Sequence, residues 1–308
     1  MSGLKRDWSG KEKRRDGPKQ APKQVARNAY TSMFENLRDE LDEHYDRRER
    51  IVKTSRDITA LSKKIIFSLQ RVRKIESNLP ANIQSEIDSR LAEISKLLAS
   101  IAPEIQGINR YRYSRSLWCL EELVEALTFA HYLKTQTLIS HAELNLIIQD
   151  LTRKGAVPED EVMVDASDAT GTATPKRAAS TAEPPTFSLA HDDYLYGVFD
   201  LTGEMMRFAT TSIALTGTMA GGKTDAAEGD GELRTIVEDM HELGTFFEML
   251  PVAPGNRLQW DKKLEVTRQS VQKVERLGYD RIIRGSERPK GWIPDLSEGD
   301  QGQNYDAE

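Results

Sequence analysis

The stretch Ser116 to Thr137, SLWCLEELVEALTFAHYLKTQT, decides how the rest of the chain is read. At 100° per residue, Leu117, Leu120, Val124, Leu127 and His131 fall on one stripe, the pattern of a core-facing helix. Trp118 and Phe129 are expected to flank Glu122 and Glu125 on the other side. Those two glutamates are three residues apart and so share a helix face. Like charges placed this way repel, and apolar neighbours limit their hydration, so the pair calls for a cation or a proton. The same spacing also fits an ordinary solvated helix edge, since glutamate is mostly an exposed residue.

Working outward, the composition suits a helical protein. Of 308 residues, 38% are hydrophobic and 30% charged, respectively below and above the globular average. Strand-length runs with period-two alternation are scarce, so the expected class is all-α. A net charge of −6 gives no global attraction to nucleic acid, and any such binding must be local. Cys119 is the single cysteine, which excludes an internal disulfide and favours a reducing compartment. No apolar run reaches the roughly 18 residues of a membrane span, and the N-terminus has no signal-peptide core. The expectation is a soluble protein of cytoplasm and nucleus with no membrane partner.

Taken in order, residues 1–27 hold nine Lys/Arg against three acidic residues and read as a disordered basic tail. Lys5, Arg6, Lys13, Arg14 and Arg15 form two clusters suited to nuclear import or to touching RNA, with a solubilising tail as the alternative. A helical domain is expected over 28–284. Its first helix runs from Asn28 to about Ser77, carrying Tyr30, Phe34, Leu37, Leu41 and Tyr45 and then Ile58, Leu61, Ile65, Leu69 and Val72. Pro80 closes it. A second helix spans about 81–101 and ends before Pro103 and Gly107. The glutamate helix is third. The fourth, about 140–153, opens on a Ser140/Glu143 capping box.

Two flexible insertions, about 154–186 and 216–231, are low in apolar residues. Between them the fifth helix, about 188–214, puts Asp193, Asp200, Glu204 and Arg207 on one side. Gly203 within it suggests a close helix contact. The sixth and seventh helices cover about 233–250 and 257–281, and a polar tail follows at 285–308.

Two motifs lack their context. Gly217 to Thr224 matches G-x-x-x-x-G-K-T, but a P-loop needs a preceding strand and a following helix, and acidic DAAEGDGE follows instead. Glu238 and His241 make one Glu-x-x-His where a di-iron bundle needs two. The remaining constellation is acidic: Glu122 and Glu125 on one helix, Asp200 and Glu204 on another. Face to face they form an all-oxygen site for Mg²⁺ or Mn²⁺, which can activate water and stabilise phosphoryl displacement. A solvated stripe is the competing reading.

SRDITALSKKIIFSLQR (55–71), LEELVEALTFAHYLKTQTLIS (120–140), GVFDLTGEMMR (197–207) and RGSERPK (284–290) resemble the translin-associated factor X (TRAX) branch of the translin family. The resemblance covers most of residues 28–290. It implies a seven-helix bundle of the translin type and a hetero-oligomer with translin, commonly an octamer, that encloses single-stranded RNA or DNA. It further implies that this chain supplies metal-dependent endoribonuclease sites. The family's acidic positions map onto Glu122 and Glu125 (E-x-x-E) and Asp200 (D-L-T-G-E), with Glu204 as a fourth. Mg²⁺ (or Mn²⁺) would be held by these residues. Substrates would be single-stranded or nicked small RNAs, silencing passenger strands or tRNA-processing fragments. The alternative is a non-catalytic scaffold that stabilises translin and helps bind nucleic acid.

Overall fold

A computed structural model describes residues 28–156, 185–216, 219–221, 234–251 and 257–284, with side chains to 280. The insertions, the basic clusters at Lys5-Arg6 and Lys13-Arg14-Arg15, and the C-terminal tail lie almost wholly outside these residues. Among the described residues the structure is helical, with one isolated antiparallel bridge between Gly221 and Thr235. The chain divides into a unit up to Asp46 and a unit from Arg47. In the first, Tyr30, Phe34, Leu37, Leu41 and Tyr45 keep their helical spacing but are 47–68% exposed.

Among the described residues eight α-helices are present: α1 Thr31–Leu69, α2 Ala81–Ile101, α3 Ile108–Arg112, α4 Cys119–Thr135, α5 His141–Ala156, α6 His191–Thr216, α7 Ile236–Met249 and α8 Arg257–Arg284. Seven are the long helices legible in the sequence. The short α3 is new, and it follows a 3₁₀ turn at Ala102–Ile105 and Gly107, whose φ of 59° only glycine adopts cheaply. Helix α1 stops at Leu69 and not near Ser77 as expected. The segment after it turns inward, burying Val72 and Leu79 and donating the Glu76 amide to the Leu133 carbonyl at 3.2 Å. Core burial there outweighs helix continuation.

In the unit from Arg47, α2 packs on α5, α4 on α6, and α8 on both α6 and α7. Ile51, Ile58, Ile65 and Leu69 of α1 are fully buried, and Ser55 accepts the Cys119 amide at 3.3 Å, pinning the start of α4. Two helices open on capping boxes. Ser140 and Glu143 exchange bonds at 3.0 and 3.3 Å, the expected capping box. Thr235 and Glu238 form another at the start of α7. No helix among the described residues is long and apolar enough to cross a membrane.

Candidate active site

Helix α4 is wrapped by core on nearly every side. Leu120, Leu123, Val124 and Leu133 are fully buried and Phe129 is 1% exposed. The expected one-sided stripe is therefore too narrow. Leu127 and His131 are only half-buried, and Phe129, on the glutamate side of the wheel, belongs to the core. The polar edge left over is Glu121, Glu122 and Glu125.

Helix α6 reaches this edge through Gly197. A Cβ there would lie 2.5 Å from Val124 Cγ1 and 2.8 Å from the Glu121 carbonyl oxygen, so only glycine lets the two helices approach this closely. Gly203, expected to make such a contact, has nothing within 4 Å of its Cβ position and plays no such part. Three and seven residues after Gly197, on the same face, come Asp200 and Glu204. The four carboxylates singled out in the sequence are thereby brought to one place, at the α4–α6 seam.

Their surroundings differ. Lys263 of α8 donates to both Asp200 oxygens at 2.7 Å and to the Tyr196 carbonyl at 3.3 Å, and lies 3.6 Å from Glu121. Glu204, 8% exposed, accepts from Gln70 Nε2 at 2.9 Å, with Arg207 at 3.5 Å. Glu122 has Lys63 at 3.8 Å. Glu125 has no cation or hydrogen-bond donor for its side chain among the described residues. Burial first, then the charges of Asp200, Glu122 and Glu204, push its carboxyl up to about 8. Glu121 and Glu122 are raised too, chiefly by burial, against the pull of Lys263 and Lys63 respectively. Lys263 and Lys63 thus offset only part of the cluster's negative charge.

A hard cation fits this donor set, which is all carboxylate oxygen, crowded and partly dry. Among the described residues, however, no three of these side chains already converge as a coordination shell. Asp200 is instead engaged by the Lys263 ammonium, which stands where part of a cation's charge would.

Glu121, Lys263, Gln70 and Lys63 were not legible as site residues. Glu121 had a signal, being adjacent to Glu122. Lys263, Gln70 and Lys63 come from other helices, and only tertiary packing brings them in. The two discounted motifs stay discounted. Thr211–Leu215, the only candidate P-loop strand, is helical within α6. Glu238 serves the α7 cap, and His241 pairs with Glu275. A histidine pair that the spacing hides does exist: the His141 and His191 rings are 4.3 Å apart. One His141 ring nitrogen is bonded to the Leu189 carbonyl, and His191 lies nine residues, about 13 Å of helix, before Asp200.

Residues 46–285 match the translin family, a span that begins one residue before the second structural unit. Translin-associated protein X of Mus musculus is 31% identical over 268 residues, covering 85% of this chain and 82% of its own length. The translin-associated protein X homolog of Schizosaccharomyces pombe is 28% identical over 258 residues, covering 83% and 89%. Among solved structures, apo-NeC3PO superposes with a TM-score of 0.50 at 17% identity, covering 79% of this chain and 94% of that one, a likeness of fold. The chain belongs to the translin family, and over most of its length it is similar to translin-associated protein X.

Proposed function

We propose that this chain is the catalytic subunit of a complex with translin, a metal-dependent endoribonuclease acting on single-stranded or nicked small RNA. The observation that carries the reading is the unpaired Glu125, driven up to about 8 by burial and by three neighbouring carboxylates. A fold gains nothing from such a cluster, whereas a site that takes up a divalent cation needs it. Glu122, Glu125 and Asp200 would hold Mg²⁺ or Mn²⁺, with Glu204 as a fourth ligand or as the base for water. Bound there, the ion supplies charge neutralisation at the phosphate and a more acidic water.

The protein's own residues would do the rest. Glu204 is oriented by Gln70, and a carboxylate so held is poised to take a proton from water. Lys263 screens Asp200 and Glu121 and ties α8 to the seam. Water and not the ribose 2′-hydroxyl is the proposed nucleophile, because the His141–His191 pair sits away from the cluster. The products then carry 5′-phosphate and 3′-hydroxyl ends. Analysis of the ends left on a labelled RNA by the co-purified complex tests this, and 2′,3′-cyclic phosphate would reject hydrolysis at this site. The exposed aromatic and aliphatic stripe before Asp46 supports assembly with a partner chain. Nuclear as well as cytoplasmic residence rests on the two N-terminal basic clusters.

A further inference from the structure

Helix α1 carries a second surface feature, beside the carboxylates and of opposite sign. On a helical wheel Lys53, Arg56, Lys63, Lys64 and Phe67 fall within about 100° of one another, with Ala60 between them, and all are exposed. Phe67 is 62% exposed. Over 52–67 the only acidic residue is Asp57, at the edge of this face. Lys53, Arg56 and Lys64 have no carboxylate within 4 Å among the described residues, whereas a solvated helix face normally mixes signs and is laced with i,i+4 pairs. This one-signed strip stands out on a chain whose net charge is −6.

Its position gives it meaning. Lys63 reaches Glu122 at 3.8 Å, and Gln70, farther along the same edge, donates to Glu204 at 2.9 Å. The strip therefore runs for about 21 Å, fourteen residues at 1.5 Å each, and its C-terminal end borders the carboxylate cluster. A polyanion cannot approach four carboxylates unaided. It needs a cationic rail that holds its phosphates while one bond is brought to the acidic seam. Single-stranded nucleic-acid sites combine such charge with aromatic faces on which bases stack, and Phe67 offers one.

We infer that the Lys53–Phe67 face of α1 is a binding track for single-stranded RNA, with Lys53, Arg56 and Lys64 contacting phosphates and Phe67 stacking a base. The inference rests on the proposed endoribonuclease reading and adds where the substrate lies.

The test is fluorescence anisotropy of a labelled single-stranded RNA with the full chain, in EDTA, across a range of KCl concentrations. Because cleavage is silent in EDTA, failure of the catalytic reading leaves this readout untouched. Lys53→Gln/Lys64→Gln removes two phosphate contacts, each contributing about 0.7 to the slope of log K against log salt for single strands. The slope should become shallower by about 1.4, with binding about 25-fold weaker at 0.1 M salt and nearly unchanged towards 1 M. Phe67→Ala should weaken binding about fivefold or more with the slope unchanged. An equal charge change on α8, Lys262→Gln/Arg276→Gln, should leave the slope alone. Three results would overturn the track: no measurable binding by the wild-type chain, an unchanged slope in the α1 double variant, or an equal slope loss in the α8 control.

Discussion

Replacing Glu125 with glutamine should stabilise the protein, and by an amount that grows with pH. Glutamine has the shape of the protonated carboxyl, so the variant keeps the packing and removes the charge. In the folded state the Glu125 carboxyl is raised from its ordinary value near 4.5 to about 8. Between those values the folded chain holds a proton that the unfolded chain has lost, so stability falls as pH rises. The stability tied to the protonated form is complete below pH 4.5 and fully lost above about 8. At about 1.4 kcal/mol per pH unit the total loss is about 5 kcal/mol. Wild type and variant should therefore be nearly equal near pH 4.5. The variant should lead by about 2 kcal/mol at pH 6 and by about 5 kcal/mol at pH 9. Urea denaturation of both proteins in EDTA at pH 6, 7.5 and 9 measures this. A difference that does not change with pH would refute the claim that Glu125 is a buried carboxylate without a cation of its own.

Three further outcomes follow from the same seam. Gly197→Ala should cost about 1–3 kcal/mol by overpacking against Val124, while Gly203→Ala, with open space around it, should gain up to about 1 kcal/mol from helix propensity; thermal denaturation of the two variants side by side reads both signs. Lys263→Met removes the cation held by Asp200, so it should lower the melting temperature in EDTA and enlarge the rise on adding Mg²⁺, and an unchanged Mg²⁺ response would show that Lys263 and the ion do not share a site. Mg²⁺ binding to the wild type should release protons at pH 7, because a ligand held up to about 8 must ionise; calorimetry in buffers of different ionisation enthalpy detects this, and no release would remove Glu125 from the ligand set.

The long helices were legible because their apolar residues recur at three and four over many turns, and because Ser140/Glu143 marks the start of α5 by local chemistry. The end of α1 was not legible. Val72 and Leu79 continue an apolar pattern in sequence while the chain has already left the helix, since their burial comes from tertiary packing. Helix α4 misled in another way: a helix surrounded by core has no single stripe, so the wheel under-counted its buried side. At the site, the four carboxylates were marked by motif and charge. The glycine that brings their helices together was sought at Gly203, where helix pattern alone distinguishes nothing from Gly197. Only the approach of Val124 decides between them. Lys263, 63 residues from Asp200 in sequence, has no local signature at all.

The central claim is that these carboxylates cut RNA. Its most direct test is cleavage of a labelled single-stranded RNA by the chain co-purified with translin. Wild type, Glu125→Gln and Asp200→Asn are compared in Mg²⁺ and in EDTA, with assembly followed by sedimentation. Cleavage is expected from the wild type in Mg²⁺ alone and is lost in both variants, with assembly unchanged. Equal cleavage by all three, or none by an assembled wild type that binds RNA, would contradict it.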